Sequence, residues 1–163
     1  EPRKLLICSG PPYDQEKDGI LAAKVSEYNG KVILCGGTTA DIIARELKRK
    51  IVDELIFEDP ELPPESFMEG IDLVTEGILT LQKVNELLKG YNNSVKLGKG
   101  PADKIVKMIM DSDEINFIVG TRINVAHQDP TLPVDLEIRR TVVKRIARIL
   151  EDKWLKLISI DYI

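Results

Sequence analysis

The chain has a single histidine, two cysteines, one tryptophan and 5% aromatic residues among its 163 positions. Two sulfurs and one imidazole cannot complete a tetrahedral zinc set unless a carboxylate joins them. Cys8 and Cys35 are too few for a disulfide framework and, with no secretory signal, read as buried free thiols. No apolar run approaches the roughly 18 residues that span a bilayer, and the opening "EPRKLLICSG" lacks the long apolar core of a signal peptide. A basic excess is missing too: the formal charge is −4 and the pI near 5.2, which predicts no nucleic acid partner. The expectation is a protein of the cytoplasm with no membrane partner. Glutamine is scarce beside abundant Lys, Glu and Ile, a leaning shared with thermophiles. The start without methionine predicts a fragment of a longer chain.

What is present is a globular balance, 43% hydrophobic and 31% charged. One domain of this length buries about two-thirds of its unfolded surface and needs no covalent staple. Short apolar runs ending in glycine alternate with segments of helical period, the pattern of βαβ units. "KLLICSGPP" predicts a strand over Leu5–Cys8, followed by a helix from Glu16 to Tyr28 that Asn29-Gly30 closes. "KVILCGG" predicts a second strand, and "TTADIIARELKR" its helix, with Ile42, Ile43 and Leu47 on the apolar stripe. "KIVDELIF" reads as a short edge strand. "EDPELPPESFMEG", with three prolines, reads as an irregular surface excursion.

Next, "IDLVTEG" predicts a strand and "ILTLQKVNELLKG" a helix burying Leu81, Val84, Leu87 and Leu88. A polar loop, "YNNSVKLGKG", leads to a helix with Pro101 at its first position and Asp103 in its first turn. "INFIVGT" is a further strand. The linker "RINVAHQDPTLPVD" precedes a basic, solvated helix with Ile138, Val142, Val143, Ile146, Ile149 and Leu150 on one side, Trp154 in the core, and a last strand. The resulting expectation is a single α/β domain over residues 1–163, three-layer α/β/α, with a mainly parallel sheet of about five or six strands (Rossmann-like).

Ligands of such sheets sit outside the carboxyl ends of the strands. Four turns fall there: Gly10-Pro11-Pro12, Gly36 to Thr39, Thr75-Glu76-Gly77 and Gly120-Thr121-Arg122. Gly36, Gly37, Thr38 and Thr39 suit an anion, because glycines let a ligand approach the backbone and the following helix offers unpaired N–H groups. The stretch lacks both the Walker lysine and the spacing of G-x-G-x-x-G, and the alternative is a tight turn in which one threonine caps its own helix. Glu76 is placed to act as a general base or to hold a hydroxyl, or else only to favour a helix start. His127 is the catalytic candidate of the linker, against a simple loop-packing role, and Asn124, Gln128 and Asp129 accompany it. Arg122 suits a phosphate or carboxylate clamp, or a surface ion pair. Cys8 and Cys35 occupy corresponding strand ends and come close if the two strands are neighbours.

The stretches "SGPPYD", "KVILCGGTTADIIAREL", "PELPP", "GIDLVTEGILTL" and "INFIVGTRINVAHQDPTLPVDLEIRR" together resemble the C-terminal region of SpoIIE-family (PPM-type) bacterial serine/threonine phosphatases. The resemblance covers most of the chain, and "CGGTTA", "IDLVTEG" and "NVAHQDP" are its most specific pieces. In that group a metal-dependent phosphatase domain precedes this region, so the resemblance implies phosphatase activity for the full-length protein and an N-terminal phosphatase domain as the partner of these residues. A second alignment places "VTEGI" and "DEINFIV" on the metal-binding motifs of the phosphatase domain itself, making Glu76 and Asp113 metal ligands. Glu stands there for the family's Asp, Asn116 stands for its Thr, and the early strand carrying the other Asp-Gly is absent.

Three functions follow in order of preference. The first is a ligand-sensing or interaction domain in which Gly10, Gly36, Gly37, Thr38, Thr39, Glu76, Gly77, Gly120, Arg122, Asn124 and Gln128 surround a small anionic or nucleotide-type ligand. The second is an enzyme of small phosphorylated or nucleotide-like substrates using Glu76 or His127. The third is a structural or dimerisation domain, a homodimer. No metal and no particular cofactor is implied.

Overall fold

A computed structural model describes residues 1–122 and 132–163, with side chains described from residue 136 onward in the second span. Apolar alternation on both faces of one strand sets the architecture. In β1 (Lys4–Ser9), Leu5 and Ile7 enter one core cluster while Leu6 and Cys8 enter another, as expected of a strand covered on both sides.

Around it the chain forms a 3-10 turn (Gln15–Lys17), α1 (Asp18–Glu27), β2 (Lys31–Cys35), α2 (Gly37–Leu47), β3 (Ile51–Asp53), β4 (Ser66–Met68) and β5 (Leu73–Thr75). There follow α3 (Ile78–Gly90), α4 (Pro101–Met110), β6 (Glu114–Val119), α5 (Leu132–Trp154) and β7 (Leu157–Tyr162). The sheet order is β3-β4-β5-β2-β1-β6-β7. From β5 to β7 the neighbours are parallel, while β4 is antiparallel to both β3 and β5. Helices α1 and α2 cover one face around Leu21, Val25 and Ile43, and α3, α4 and α5 cover the other around Leu81, Ile105 and Ile146. This is a three-layer α/β/α domain of Rossmann-like strand order.

Three details depart from the sequence expectation. The sheet has seven strands because the proline-rich excursion contains β4, whose three residues pair with Ile51–Asp53. The first helix begins at Asp18, after the 3-10 turn. The last helix begins at Leu132, within the stretch expected to be linker. No helix among the described residues is long and apolar enough to cross a membrane.

The acidic excursion between β3 and β4 is tied down by lysines of the helices below it. Lys83 Nζ donates to Asp59, whose carboxylate also accepts from the Glu61 N–H at 2.9 Å, and Lys104 Nζ lies 2.6 Å from Glu65 Oε1. Leu62 enters the α3/α4/α5 core between these pairs. The Lys83 hydrogen bond holds the Asp59 carboxyl below the usual carboxylate range, and Asp59 raises Lys83. The pair therefore contributes fully above about pH 4, fades as pH falls through the lowered Asp59 value, and fades again above about pH 10. Asp59→Asn is expected to be less stable than wild type at pH 7 and to converge on it as pH falls through the lowered Asp59 value, read from urea midpoints.

Two glycines give opposite expectations. A Cβ on Gly120 would stand 2.1 Å from the Pro11 carbonyl oxygen, whereas one on Gly90 meets nothing within 4 Å. Gly120→Ala should cost about 1–3 kcal/mol by overpacking, and Gly90→Ala should gain about 0.5 kcal/mol by restricting the unfolded chain, both measured by urea unfolding.

Candidate functional site

The parallel register aligns the strand ends. Ser9 pairs with Cys35 and with Val119, and Cys35 pairs with Thr75. The four turns expected to share an edge therefore lie side by side in the order Glu76-Gly77, Gly36-Gly37, Gly10-Pro11 and Gly120-Thr121-Arg122. They divide into two unlike halves.

The half between β1 and β6 is where the parallel strand order reverses, the place where open sheets usually leave a crevice. Here the turns pack on one another. Gly120 N–H donates to Ser9 O at 2.8 Å, and Arg122 N–H to Pro11 O at 3.2 Å. The Arg139 guanidinium lies over Gly10, where a Cβ would be 2.3 Å from Nη1, and donates to Gly120 O at 2.9 Å. Gly10 has φ +93°, so its lack of a side chain answers both a backbone and a steric requirement. Thr121 N–H and Oγ1 both donate to Ile163 O, at 2.9 and 2.8 Å.

Arg122, expected to clamp an anion, points its guanidinium at Asp18 instead, with Nη2 3.3 Å from Oδ1. Asp18 is almost fully buried at the start of α1 and also receives Arg45 Nη2 at 2.7 Å. Arg122 thus makes an ion pair, the alternative its sequence position also allowed.

The half between β2 and β5 is open. Gly36, with φ +126°, is the N-cap of α2 and supplies no side-chain acceptor. Its own N–H donates to Thr75 O at 2.8 Å, and its carbonyl accepts from Ala40 N–H at 3.0 Å. Threonine capping, the alternative weighed for "GGTTA", does not occur. Thr39 is fully buried, and its Oγ1 accepts from Gly10 N–H at 2.8 Å, tying this turn to its neighbour. Gly37 and Thr38 are exposed, and among the described residues no side chain caps the first N–H groups of α2.

Gly77 is likewise the N-cap of α3 without a side-chain acceptor, and its Cβ position lies 3.6 Å from Gly36 Cα. The two helix starts thus nearly touch. Glu76 is exposed, and its Oε2 lies 3.9 Å from where a Gly37 side chain would begin. A carboxylate at that distance favours the positive end of α2 and repels an incoming anion.

Sequence reading missed Thr80, Arg139 and Asp18. Thr80 is fully buried, and its hydroxyl has no hydrogen-bond partner among the described residues. A signal for it existed, because Gly77-x-x-Thr80 repeats the spacing Gly36-x-x-Thr39 at the second helix start. Nothing local marks Arg139 or Asp18. Asn124, His127 and Gln128 lie outside the described residues.

Cys8 and Cys35 do sit on neighbouring strands, but one register step apart, so they face opposite sides of the sheet and different cores. They cannot share a metal. Burial pushes both thiols up, Cys35 to about 11. Glu76 and Asp113 are also apart. One follows the last residue of β5, and the other precedes the first of β6 at the opposite edge, beside Arg3 N–H at 2.8 Å. Seven steps of strand rise separate the two levels, roughly 23 Å, so these two carboxylates form no common metal site.

Arg122→Ala is expected to lower stability by about 1 kcal/mol through the loss of a charged hydrogen bond to a buried carboxylate, read from the urea midpoint. No protein-family model matches the chain, and no significant match is found among curated proteins or among solved structures.

Proposed function

We propose that this chain is a ligand-sensing or interaction domain that takes a small anionic or nucleotide-type ligand at the start of α2, appended to a SpoIIE-like serine/threonine phosphatase domain. The observation that carries the anion reading is the glycine-capped start of α2. Gly37 and Thr38 are exposed there, no side chain among the described residues caps the first N–H groups, and a Cβ on Gly77, the second glycine N-cap, would lie 3.6 Å from Gly36 Cα. Backbone donors aligned with a helix dipole bind phosphate and carboxylate groups without a lysine. The link to a phosphatase rests on the sequence resemblance alone.

An enzyme of small phosphorylated substrates is the second reading, and the observation in its favour is Glu76 beside Gly37. A general base works best in a site that excludes water. Glu76 is exposed, which favours sensing over proton transfer.

Thermal unfolding across inorganic phosphate, nucleotides and sugar phosphates tests this reading. The expected result is a rise in midpoint with at least one of these anions, which Gly37→Pro abolishes. Proline is well tolerated at the first helical position but removes that N–H. Glu76→Gln should tighten inorganic phosphate about threefold to tenfold, the worth of one like charge at roughly 4–5 Å near water. A midpoint unmoved by every anion would overturn the proposal.

A further inference from the structure

The edge strand β3 is unlike the rest of the surface. Val52 and Phe67 lie opposite each other in the β3–β4 pairing and are each 58% exposed, and Leu55, Ile56 and Phe57 continue the apolar run beyond β3. Among the described residues nothing pairs with the outer side of this strand. Its hydrogen-bonding phase is fixed by Glu54 N–H, which donates to Glu65 O at 3.1 Å. In an antiparallel ladder alternate residues face the partner, so Val52 and Glu54 turn their backbone groups toward β4. Ile51 and Asp53 turn theirs outward.

Charge is distributed along the same segment in two blocks of opposite sign. Lys48-Arg49-Lys50 precede β3, and from Asp53 to Glu65 there are six carboxylates and no basic residue. Asp59, Glu61 and Glu65 are held by Lys83 and Lys104, and Asp53 accepts from Ser66 Oγ at 2.7 Å. Glu54 and Lys50 are both exposed, and neither has a side-chain partner among the described residues.

We propose that β3 is a self-association edge, pairing antiparallel with β3 of a second copy of this chain about a two-fold axis at Val52. In that register Ile51 of each copy faces Asp53 of the other, and their outward N–H and C=O groups supply the hydrogen-bonded pairs. Lys50 then stands directly opposite Glu54 at a non-hydrogen-bonded position, where cross-strand side chains are closest, and the two-fold axis makes the ion pair twice. Val52 meets its own copy, so that Phe67, Val52 and their two equivalents form one apolar row across the joined sheets. An edge guarded against self-pairing carries charges of one sign or a proline. This one carries complementary signs at equal distances from its centre.

Sedimentation velocity on the 163-residue chain tests the register. Wild type is expected to dimerise reversibly, and Lys50→Glu and Glu54→Lys each to weaken the dimer by about tenfold or more, since each sets like charges opposite one another twice. Circular dichroism should show both variants folded, because neither side chain contacts the core. An equimolar mixture of the two variants should regain the dimer, because one copy then brings a carboxylate at both positions and the other an ammonium group at both. The double variant K50E/E54K should regain it alone. A wild type that stays monomeric at its highest soluble concentration overturns the proposal. So does a dimer unmoved by both reversals, or a mixture no better associated than its parts.

Discussion

The central strand β1 is bonded to parallel neighbours on both sides, β2 and β6, and is apolar on both faces. No part of it can shift without breaking two ladders and two cores, since a slip of one residue would exchange Leu5 and Ile7 with Leu6 and Cys8 between opposite layers. Its end at Ser9 is the level to which the ends of β2, β5 and β6 are held. The common edge of the four turns is a consequence of that register. Glycines then appear where backbone must turn with positive φ, at Gly10 and Gly36, or where one turn presses on another, at Gly120.

The same edge shows two uses of one design. Between β1 and β6 the guanidinium of Arg139 lies over Gly10, and the carbonyls of Gly10 and Pro11 press on Gly120. Between β2 and β5 the helix starts carry no capping side chain among the described residues, and the exposed carboxylate of Glu76 lies beside Gly37. Thr39 links the halves, because its hydroxyl starts on α2 and ends on the β1 turn. A ligand drawing on the α2 N–H groups would therefore be one hydrogen bond away from the packed half. That is a short route for a binding event to reach β1.

Much of the architecture was legible from local pattern. Leu81, Val84 and Leu88 recur at helical spacing between two glycines, and α3 runs from Ile78 to Gly90 as that spacing implies. Pro101 and Asp103 mark the start of α4 in the same way. β4 was hidden because three residues show no period, and because Pro63 and Pro64 before it argue for a loop. The site was legible only in its backbone. Glycines announce turns, but the partners of charged side chains are set by tertiary structure. Arg122 and Asp18 are 104 residues apart, and nothing near either predicts that they meet. The role of Thr39 was missed for the same reason, since its hydroxyl serves a turn 29 residues away rather than its own helix.

The placement of the two thiols has a use of its own. Cys8 lies beneath the layer of α1 and α2, and Cys35 beneath the layer of α3, α4 and α5, with one peptide step of register between them. Only a thiolate reacts with alkylating or disulfide reagents, and burial suppresses it at both positions. Each sulfur becomes reactive when its own layer lifts. The protein thus carries a pair of intrinsic clocks, one per layer, whose relative rates in the native state would tell which half of the sandwich breathes first.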